Sequence, residues 1–524
     1  MLVALLQYCH VSEGNFAAER RTLFQPLLHF RVQPDGQNDE EHADVELAHT
    51  VRRATDHVNS DHAGIVAQME NELQALELED PDARLYHLTR AFRLYKMLFE
   101  RAPHSTLRVI ESRLFPFTKD KNLARLRESY RGRGIAVTAS RHQLVFLYPL
   151  LQTLRFKLNC TLPIELLYLG DNDLNHEEQS AIKSWVPNLE LVDLVPLLSA
   201  QAREIKGYNI KMLAILFSSF AEVMFIDADA VFVVNPEVLF SWPLYTGTGM
   251  LLFSDWSFDP RPTEFGVVFE SWIYEFMPDL DLDRATDIEV DFVRGRTRFL
   301  IEAGVVVMDK RTRFVQLMAQ TCLVLPRFID LFENRFLGDK ELFWFAARMA
   351  NEPLGLNPGP AGRVGTPHPD FPYTSHACGD HVAHFSPTIS EPIWFNQGIY
   401  VNKHARPRRI DTFTHFSRFL AGPYQNHAFN ETGCNVMSLT PDASNPVAKA
   451  LSRDFQAVTS SYKGVVERMN SQASALGVPL DLPARNHSAN IPDKDPLTDW
   501  KAIMARCKVE MSAMRFARAE VGLV

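Results

Sequence analysis

The chain has 524 residues, and its 54 Lys and Arg against 64 Asp and Glu give a formal net charge of −10. Hydrophobic residues make up 46% and charged residues 23%, the proportions of an ordinary folded protein, which excludes a largely disordered chain and a collagen-like repeat. The acidic balance also argues against electrostatic binding to nucleic acid, which requires a basic surface.

The pattern of residues divides the chain into four regions. Residues 1–80 are polar and acidic and are expected to form a poorly packed lead-in. Residues 81–130 are predicted to be a helical N-terminal region, because apolar residues recur there every three to four positions. Residues 131–405 alternate short apolar runs with helical patterns, and residues 406–524 are predicted to be a mostly helical C-terminal extension.

The region 131–405 is predicted to have an α/β fold. Short runs rich in Val, Ile and Leu are expected to be strands, at 134–140, 163–170, 189–194, 222–233, 249–255 and 303–309. Helical patterns lie between several of them, at about 143–157, 175–185 and 208–219. Strands that are separated by helices of this length form βαβ units, and a mainly parallel sheet is therefore expected.

Two acids end one of these apolar runs, Phe225-Ile226-Asp227-Ala228-Asp229. Positions i and i+2 of a strand point to the same side, and ligands of open α/β sheets bind beyond the carboxyl ends of the strands. Two carboxylates there repel each other unless a cation lies between them, and Mg²⁺ and Mn²⁺ prefer such oxygen ligands. The sequence therefore predicts a divalent-metal site at Asp227 and Asp229; the alternative is a solvated turn at the end of the strand.

Two further polar residues lie around this strand. Lys211 begins the helix that leads into it and could reach the phosphate oxygens of a metal-bound diphosphate. The alternative for Lys211 is a solvated lysine at a helix end. Asp255 follows the next strand along the chain.

Four candidates come from later segments. Glu302 precedes a strand, and the Ala-Gly pair that ends at Gly304 permits close approach of a ligand to the backbone. Asp339 stands where a helix begins, either as a helix cap or as an acid held at a substrate hydroxyl. In the Gly/Pro/Asn-rich stretch that follows, one of His376, His381, His384 and His404 is a candidate third metal ligand; the alternative for each is a polar loop residue.

Together these segments resemble a known family. The chain contains GYNIKMLAILFSSFAEVMFIDADAVFVVNPEVLF, EAGVVVMDK and GDKELFW in the order and at the separations of the fungal α-mannosyltransferases of glycosyltransferase family 71. It also contains GIAVTASRHQLVFLYPLLQTLR and LPIELLYLGDNDL, which resemble that family's opening strand-helix-strand. The resemblance covers approximately residues 130–405.

This resemblance implies a GT-A-like nucleotide-sugar-binding sheet flanked by helices, with helical extensions at both ends in this chain. It implies GDP-mannose as donor, Mn²⁺ or another divalent cation as cofactor, and retention of the α configuration. The acceptor would be a mannose-containing glycan, extended by an α-1,3 or α-1,2 linkage in protein glycosylation or mannan synthesis. Members of the family usually carry an N-terminal membrane anchor, which we do not see in this chain, and a Golgi location, in the membrane or the lumen, is expected from the resemblance.

The resemblance also implies which residues bind the metal and the nucleotide. Asp227 and Asp229 would be the metal-binding pair, with His384 as the candidate third ligand. Arg141 and Lys211 would lie near the nucleotide diphosphate.

The remaining residues would lie near the sugars. Asp255 and Gly304 would contact the bound donor, and Glu302 and Asp339 would be the candidate catalytic acids. The chain departs from the family at Asn396, where a histidine is expected.

The sequence leaves three alternatives open. The protein could transfer a sugar from a UDP-sugar instead, because the helix followed by Asp-Ala-Asp also occurs in glycogenin-like families. It could also be a non-catalytic relative that binds glycans. For a retaining transferase, a carboxylate nucleophile and front-face attack by the acceptor are both compatible with the sequence, and we favour front-face attack.

Overall fold

The computed structural model describes residues 60–476. It omits short segments within that range, at 79, 100, 118–122, 257–262, 284, 298, 334, 337, 360, 368–376, 402, 404–407, 412, 419–425, 430–434 and 439–448. Residues 1–59 of the predicted lead-in and the end of the C-terminal extension from residue 477 lie outside the described residues. The described part of the lead-in is not poorly packed, because Ser60–Ala75 is a helix that buries Met69 and Leu73.

The described residues form fifteen helices and fourteen strands, numbered here in chain order. The helices are α1 Ser60–Ala75, α2 Pro81–Phe99, α3 His104–Leu114, α4 Leu123–Ser129, α5 Leu144–Phe156, α6 Gly170–Asp173, α7 His176–Lys183, α8 Ile210–Phe217, α9 Pro243–Thr248, α10 Thr263–Phe276, α11 Asp287–Val293, α12 Phe314–Leu323, α13 Pro326–Glu333, α14 Leu342–Met349 and α15 Arg453–Leu476. The strands are β1 Arg131–Thr138, β2 Ile164–Tyr168, β3 Leu189–Asp193, β4 Phe220–Asp227, β5 Val231–Phe232, β6 Met250–Ser254, β7 Ile301–Asp309, β8 Gly362–Pro367, β9 Ala377–Phe385, β10 Pro392–Phe395, β11 His415–Arg418, β12 Asn426–Phe429, β13 Asn435–Ser438 and β14 Lys449–Ala450.

The central sheet has six strands in the order β3-β2-β1-β4-β7-β6. The first four are parallel, and β7 runs antiparallel between β4 and β6. Strand order reverses at the β1–β4 pair, and ligands of α/β sheets bind at such a reversal. The predicted α/β class is confirmed: a mainly parallel sheet is flanked by helices.

Successive residues of β4 face opposite sides of this sheet, each covered by its own apolar cluster. Val223 and Phe225 belong to one cluster, which includes α8, while Met224 and Ile226 belong to the other. Burial on both faces explains why the central strands are continuous apolar runs in the sequence. Asp227 continues the Val223–Phe225 series and therefore emerges on the side of α8.

The N-terminal helices pack on the α8 side of the sheet. In α2 the predicted apolar positions are fully buried at Leu85, Leu88, Phe92 and Tyr95. This stripe contacts α10, α12, α13 and α14. The apolar positions of the helical pattern therefore mark the face of α2 through which the N-terminal region packs on the side of the central sheet.

A second, antiparallel sheet has the order β14-β11-β8-β9-β10-β5. Three residues separate the end of β4 from the start of this sheet's edge strand β5, which pairs with β10 at Phe232↔Trp394 and Val231↔Phe395. The apolar run 222–233 is therefore not one strand, as we expected, but two strands in different sheets. A turn separates them, in which the Ala230 N–H donates to the Asp227 carbonyl oxygen at 3.0 Å.

The described residues of the 406–524 region form the strands β11 to β14 and the helix α15. Strands β11 and β14 extend the second sheet beside β8, and β12 pairs with β13 as a separate hairpin. Helix α15 packs against α5.

Among the residues that the structure describes, no single helix is both long and apolar enough to cross a bilayer. The segments Phe314–Leu323 and Pro326–Phe332 reach that length and composition only as a pair, and the two are bent by 83° relative to each other.

A buried lysine, Lys310, donates hydrogen bonds to carbonyl groups at the end of α8. The Lys310 Nζ donates to the carbonyl oxygens of Ser218 at 2.6 Å and Ile215 at 3.1 Å, and it lies 3.6 Å from the centre of the Tyr130 ring. Burial lowers the pKa of Lys310 well below its usual value. The carbonyl groups that Lys310 satisfies are those that the last turn of any helix leaves free.

We expect Lys310→Met to lower the free energy of unfolding by about 2 kcal/mol, because it leaves buried carbonyl oxygens without a donor. Chemical denaturation measures the change. Lys183→Met on α7 removes an exposed lysine and should change it by less than about 0.5 kcal/mol. Equal effects of the two substitutions would show that the contacts of Lys310 contribute nothing specific.

Candidate active site

The candidate site begins with Lys211 in the first turn of α8. Its Nζ lies 3.2 and 3.3 Å from the two carboxylate oxygens of Asp227, 3.3 Å from Asp339 Oδ2 and 2.8 Å from the Ala303 carbonyl oxygen. The side chain of Lys211 is only 5% exposed. Lys211 therefore ties together the ends of β4 and β7 and the loop before α14.

The metal-binding pair predicted from the sequence lies at the end of β4. Asp227 is the last residue of the strand, whereas Asp229 lies in the turn that follows, so the strand geometry that we assumed for the pair extends only to Asp227. The Lys403 Nζ donates to Asp229 Oδ2 at 2.6 Å, and the Gly398 N–H donates to the Asp229 carbonyl oxygen at 2.7 Å. Each of the two acids therefore has a lysine of its own.

Glu302, the second residue of β7, is held by neutral donors. Its Oε1 accepts hydrogen bonds from Asn396 Nδ2 and from the Gly304 N–H, both at 2.9 Å. A Cβ at Gly304 would lie 3.0 Å from Asn396 Nδ2 and 3.2 Å from the Trp394 ring. Gly304 therefore permits close approach of protein groups to the backbone in this structure.

Asp255, directly after β6, forms an ion pair with Lys340 and accepts a hydrogen bond from the Trp256 N–H at 2.6 Å. Lys340 also lies 3.5 Å from the centre of the Phe299 ring. Because Lys340 follows Asp339, one short loop supplies both an acid to Lys211 and a cation to Asp255.

Five carboxylates and three ammonium groups meet at this edge of the sheet, which we call the acidic edge: Asp227, Asp229, Asp255, Glu302 and Asp339 with Lys211, Lys340 and Lys403. Burial raises the pKa of Asp227 to about 6, and the charges of Asp229 and Asp339 raise it against the effect of Lys211. Burial and the charge of Asp255 raise the pKa of Glu302 to about 7.

For Lys211, burial and the neighbouring charges act on the pKa in opposite directions. Burial lowers the pKa of Lys211, but the charges of Asp227, Asp339 and Glu302 outweigh burial and raise it above its usual value. With every group ionised, the acidic edge carries two more negative than positive charges.

The donor atoms of the acidic edge fit a hard divalent cation. They are carboxylate oxygens, and Asp339 Oδ2 is buried without a hydrogen-bond donor, in contact with Lys211 only as an ion pair. Within the described residues, no three His, Cys, Asp or Glu side chains stand close enough to form a complete metal site. Mg²⁺-type ions are commonly bound by one or two carboxylates together with water and substrate phosphates, which is the arrangement that Asp227 and Asp229 would provide.

Two residues that the sequence predicted for the site, Arg141 and His384, do not lie among the residues of the acidic edge. Arg141 lies beyond the end of β1, whose Thr138 pairs with Asp227, but its guanidinium faces Glu178 on α7, with Nη2 at 3.4 Å from Oε2. His384 stacks on Trp394 with ring centres 4.0 Å apart, and burial lowers its pKa well below the usual value. The structure thus places His384 among aromatic rings.

The other histidine of β9, His381, is also buried, and its Nδ1 lies 3.6 Å from Asp411 Oδ2. Burial lowers the pKa of His381 to about 3, while the negative charge of Asp229 acts in the opposite direction. His381 and His384 are three residues apart on β9, so they project from opposite faces of that strand. The sequence pattern did not distinguish them, because the register of β9 could not be read from it.

Sequence reasoning also missed the two lysines Lys340 and Lys403. Lys340 is part of the GDKELFW segment, so its position beside Asp339 was a usable signal. Lys403 lies 174 residues from Asp229 in the chain, and nothing in the local sequence indicates their contact.

The chain was compared with known proteins. Residues 132–386 match the sequence family described as "Mannosyltransferase putative". Relatives include "Putative alpha-1,3-mannosyltransferase MNN14" of Candida albicans, 27% identical over 62% of this chain and 51% of the relative. Another is "Alpha-1,3-mannosyltransferase MNT3" of Saccharomyces cerevisiae, 23% identical over 51% of this chain and 47% of the relative. The chain spans about half the length of these relatives, and the predicted resemblance to the fungal α-mannosyltransferases is confirmed.

Among solved structures, the mannosyltransferase Ktr4p of S. cerevisiae in complex with GDP aligns at 12% identity with a TM-score of 0.28, over 54% of this chain and 81% of that chain. The galactosyltransferase LgtC in complex with donor and acceptor sugar analogs aligns at 12% identity with a TM-score of 0.25, over 41% of this chain and 69% of that chain.

The packing around Gly304 gives a stability test. We expect Gly304→Ala to lower the free energy of unfolding by about 1–3 kcal/mol, because its methyl group would displace Asn396 from Glu302. Chemical denaturation measures the change. In Gly464→Ala on α15, a Cβ would meet nothing closer than Arg468 Nη1 at 3.5 Å, and helix propensity should make it neutral or stabilising by up to about 1 kcal/mol. A neutral Gly304→Ala would contradict the close packing.

Proposed function

Because residues 132–386 match a mannosyltransferase family, we propose that the protein is a metal-dependent glycosyltransferase. It transfers mannose from GDP-mannose to a mannose-containing glycan with retention of configuration, and forms an α-1,3 or α-1,2 linkage. The observation that carries this proposal is the acidic edge, where an excess of carboxylates surrounds buried lysines at the strand-order reversal of the central sheet. The family resemblance also supports a Golgi location and a role in protein glycosylation or mannan synthesis.

The proposed metal is Mn²⁺ or another divalent cation, held by Asp227 and Asp229. When bound, it neutralises the diphosphate leaving group as a Lewis acid. The excess negative charge of the acidic edge supports this assignment, because without a cation it would repel a nucleotide diphosphate. The resemblance to the fungal α-mannosyltransferases supports GDP-mannose as the donor.

Lys211 supplies a fixed positive charge beside the leaving group. Its ammonium is held by Asp227, Asp339 and the Ala303 carbonyl oxygen before any ligand binds, so it need not reorganise during the reaction. Preorganised charges of this kind are among the largest contributions to catalysis.

Glu302 and Asp339 are the two acids proposed to act at the sugars. Glu302 is fixed by Asn396, and burial raises its pKa to about 7, which makes it less suited to remain an anionic nucleophile. This supports front-face attack, in which the acceptor hydroxyl displaces the diphosphate on the side from which it leaves. The acceptor proton then passes to the departing phosphate oxygen, while Asp339 orients sugar hydroxyls.

The metal-binding role of Asp227 is tested by Asp227→Asn, which keeps the shape of the side chain. We expect mannose transfer to fall by at least about a hundredfold, because the leaving group loses its electrostatic stabilisation. Release of GDP from GDP-mannose in the presence of Mn²⁺ and α-mannobiose measures it. Glu190→Gln, an exposed acid on β3, is the matched control and should retain activity. Full activity in metal-free buffer would contradict the proposal.

Calorimetry of the unmodified protein with GDP and UDP in Mn²⁺ separates the open alternatives. Binding of GDP alone agrees with a mannosyltransferase, and preferential binding of UDP would favour a UDP-sugar transferase. Binding of neither nucleotide, together with binding of α-mannobiose, would favour a non-catalytic glycan-binding relative.

The role of Asp339 is tested separately by Asp339→Asn. Since Asp339 contacts Lys211 and lies outside the metal-binding pair, we expect kcat to fall by about tenfold or more, while the dissociation constant of GDP in Mn²⁺ changes little. Steady-state kinetics and calorimetry measure the two quantities. Near-native turnover would exclude Asp339 from the reaction, and a large loss of GDP affinity would assign it to donor binding.

A further inference from the structure

The two acids of the metal-binding pair are each in contact with a lysine, but the two lysines are held differently. Lys211 lies on a helix, is 5% exposed, and has Asp227, Asp339 and a backbone carbonyl oxygen around its ammonium. Lys403 reaches Asp229 from the segment that follows β10, and its side chain is 20% exposed. The contact between Lys403 and Asp229 is therefore open to solvent to a degree that the Lys211 contacts are not.

The base of the Lys403 segment is fixed beside Asp229. Directly after β10, Gln397 and Gly398 both have left-handed backbone, with φ of 86° and 71°, and the Gly398 N–H donates to the Asp229 carbonyl oxygen. The Val401 N–H donates to the Arg409 carbonyl oxygen at 2.9 Å. Lys403 thus extends from a fixed base on a long, flexible side chain, which can reach more than one acceptor.

When a cation binds to Asp229, the Lys403 ammonium must leave this carboxylate. A divalent cation on Asp229 would stand within a few ångströms of the Lys403 ammonium, and the two like charges would repel each other strongly in a partly buried site. The anion next in reach of Lys403 would be the diphosphate bound to the same cation. Carboxylate and phosphate oxygens are equivalent acceptors for an ammonium group.

We infer that Lys403 is an exchangeable counter-ion: it holds Asp229 in the ligand-free protein and moves to the donor diphosphate when the metal and nucleotide bind. This inference rests on the proposed function, because it requires that Asp229 binds a metal. It gives Lys403 two opposite effects. Lys403 competes with the metal alone, and it contributes to binding of the metal-bound nucleotide.

The two effects are measured by calorimetry on the full chain with Lys403→Met. Without nucleotide, we expect Mn²⁺ to bind more tightly than to the unmodified protein, because Asp229 is no longer occupied. In saturating Mn²⁺, we expect GDP to bind about tenfold more weakly, the usual effect of losing one charge-assisted hydrogen bond. Lys463→Met, which removes an exposed lysine paired with Glu467 on α15, should change neither affinity.

The possible results are distinguishable. If Lys403→Met weakens binding of both Mn²⁺ and GDP, Lys403 is a fixed support of Asp229 and the inference is overturned. Unchanged affinities, or tighter Mn²⁺ with unchanged GDP binding, would also overturn it. If the unmodified protein binds neither Mn²⁺ nor GDP, the proposed function itself fails. Lys403→Gln, with thermal unfolding followed by circular dichroism, provides a second variant if Lys403→Met does not fold.

Discussion

The ammonium of Lys211, buried among acids, is the interaction on which the rest of the site depends. Carboxylates that are buried together repel one another, and a buried charge is tolerated only when it is paired. Lys211 meets this condition for Asp227 and Asp339 at the same time, and its bond to the Ala303 carbonyl oxygen joins the acids to β7. The position of this one nitrogen atom therefore fixes the relative positions of a helix, two strands and a loop.

The rest of the charge balance comes from the second sheet. Strand β5 follows the metal-binding pair almost immediately and pairs with β10, so the chain after β10 necessarily passes the acidic edge. Asn396 and Lys403 are thereby brought to Glu302 and Asp229. The central sheet supplies most of the acids, and the second sheet supplies the neutral and cationic groups that stabilise two of them.

The local sequence was sufficient to predict the strands and helices whose apolar pattern is set by burial. The apolar runs of β1, β2 and β4 and the helical patterns of α2, α5 and α8 were all predicted near their observed positions, because both depend on the faces that the core covers. The carboxylate pair and Lys211 were also predicted, since a short helix-strand unit brings them together.

Contacts that depend on the pairing of strands far apart in the chain could not be predicted from the sequence. Which side of β9 His381 and His384 occupy depends on the register of that strand, and the contact between Lys403 and Asp229 depends on the pairing of β5 with β10. The same pairing has a consequence for synthesis. Every strand of the central sheet leaves the ribosome before Lys403 does, so Asp229 is translated well ahead of the lysine that neutralises it. A nascent chain that stalls between the two would display an uncompensated acid in the turn after β4.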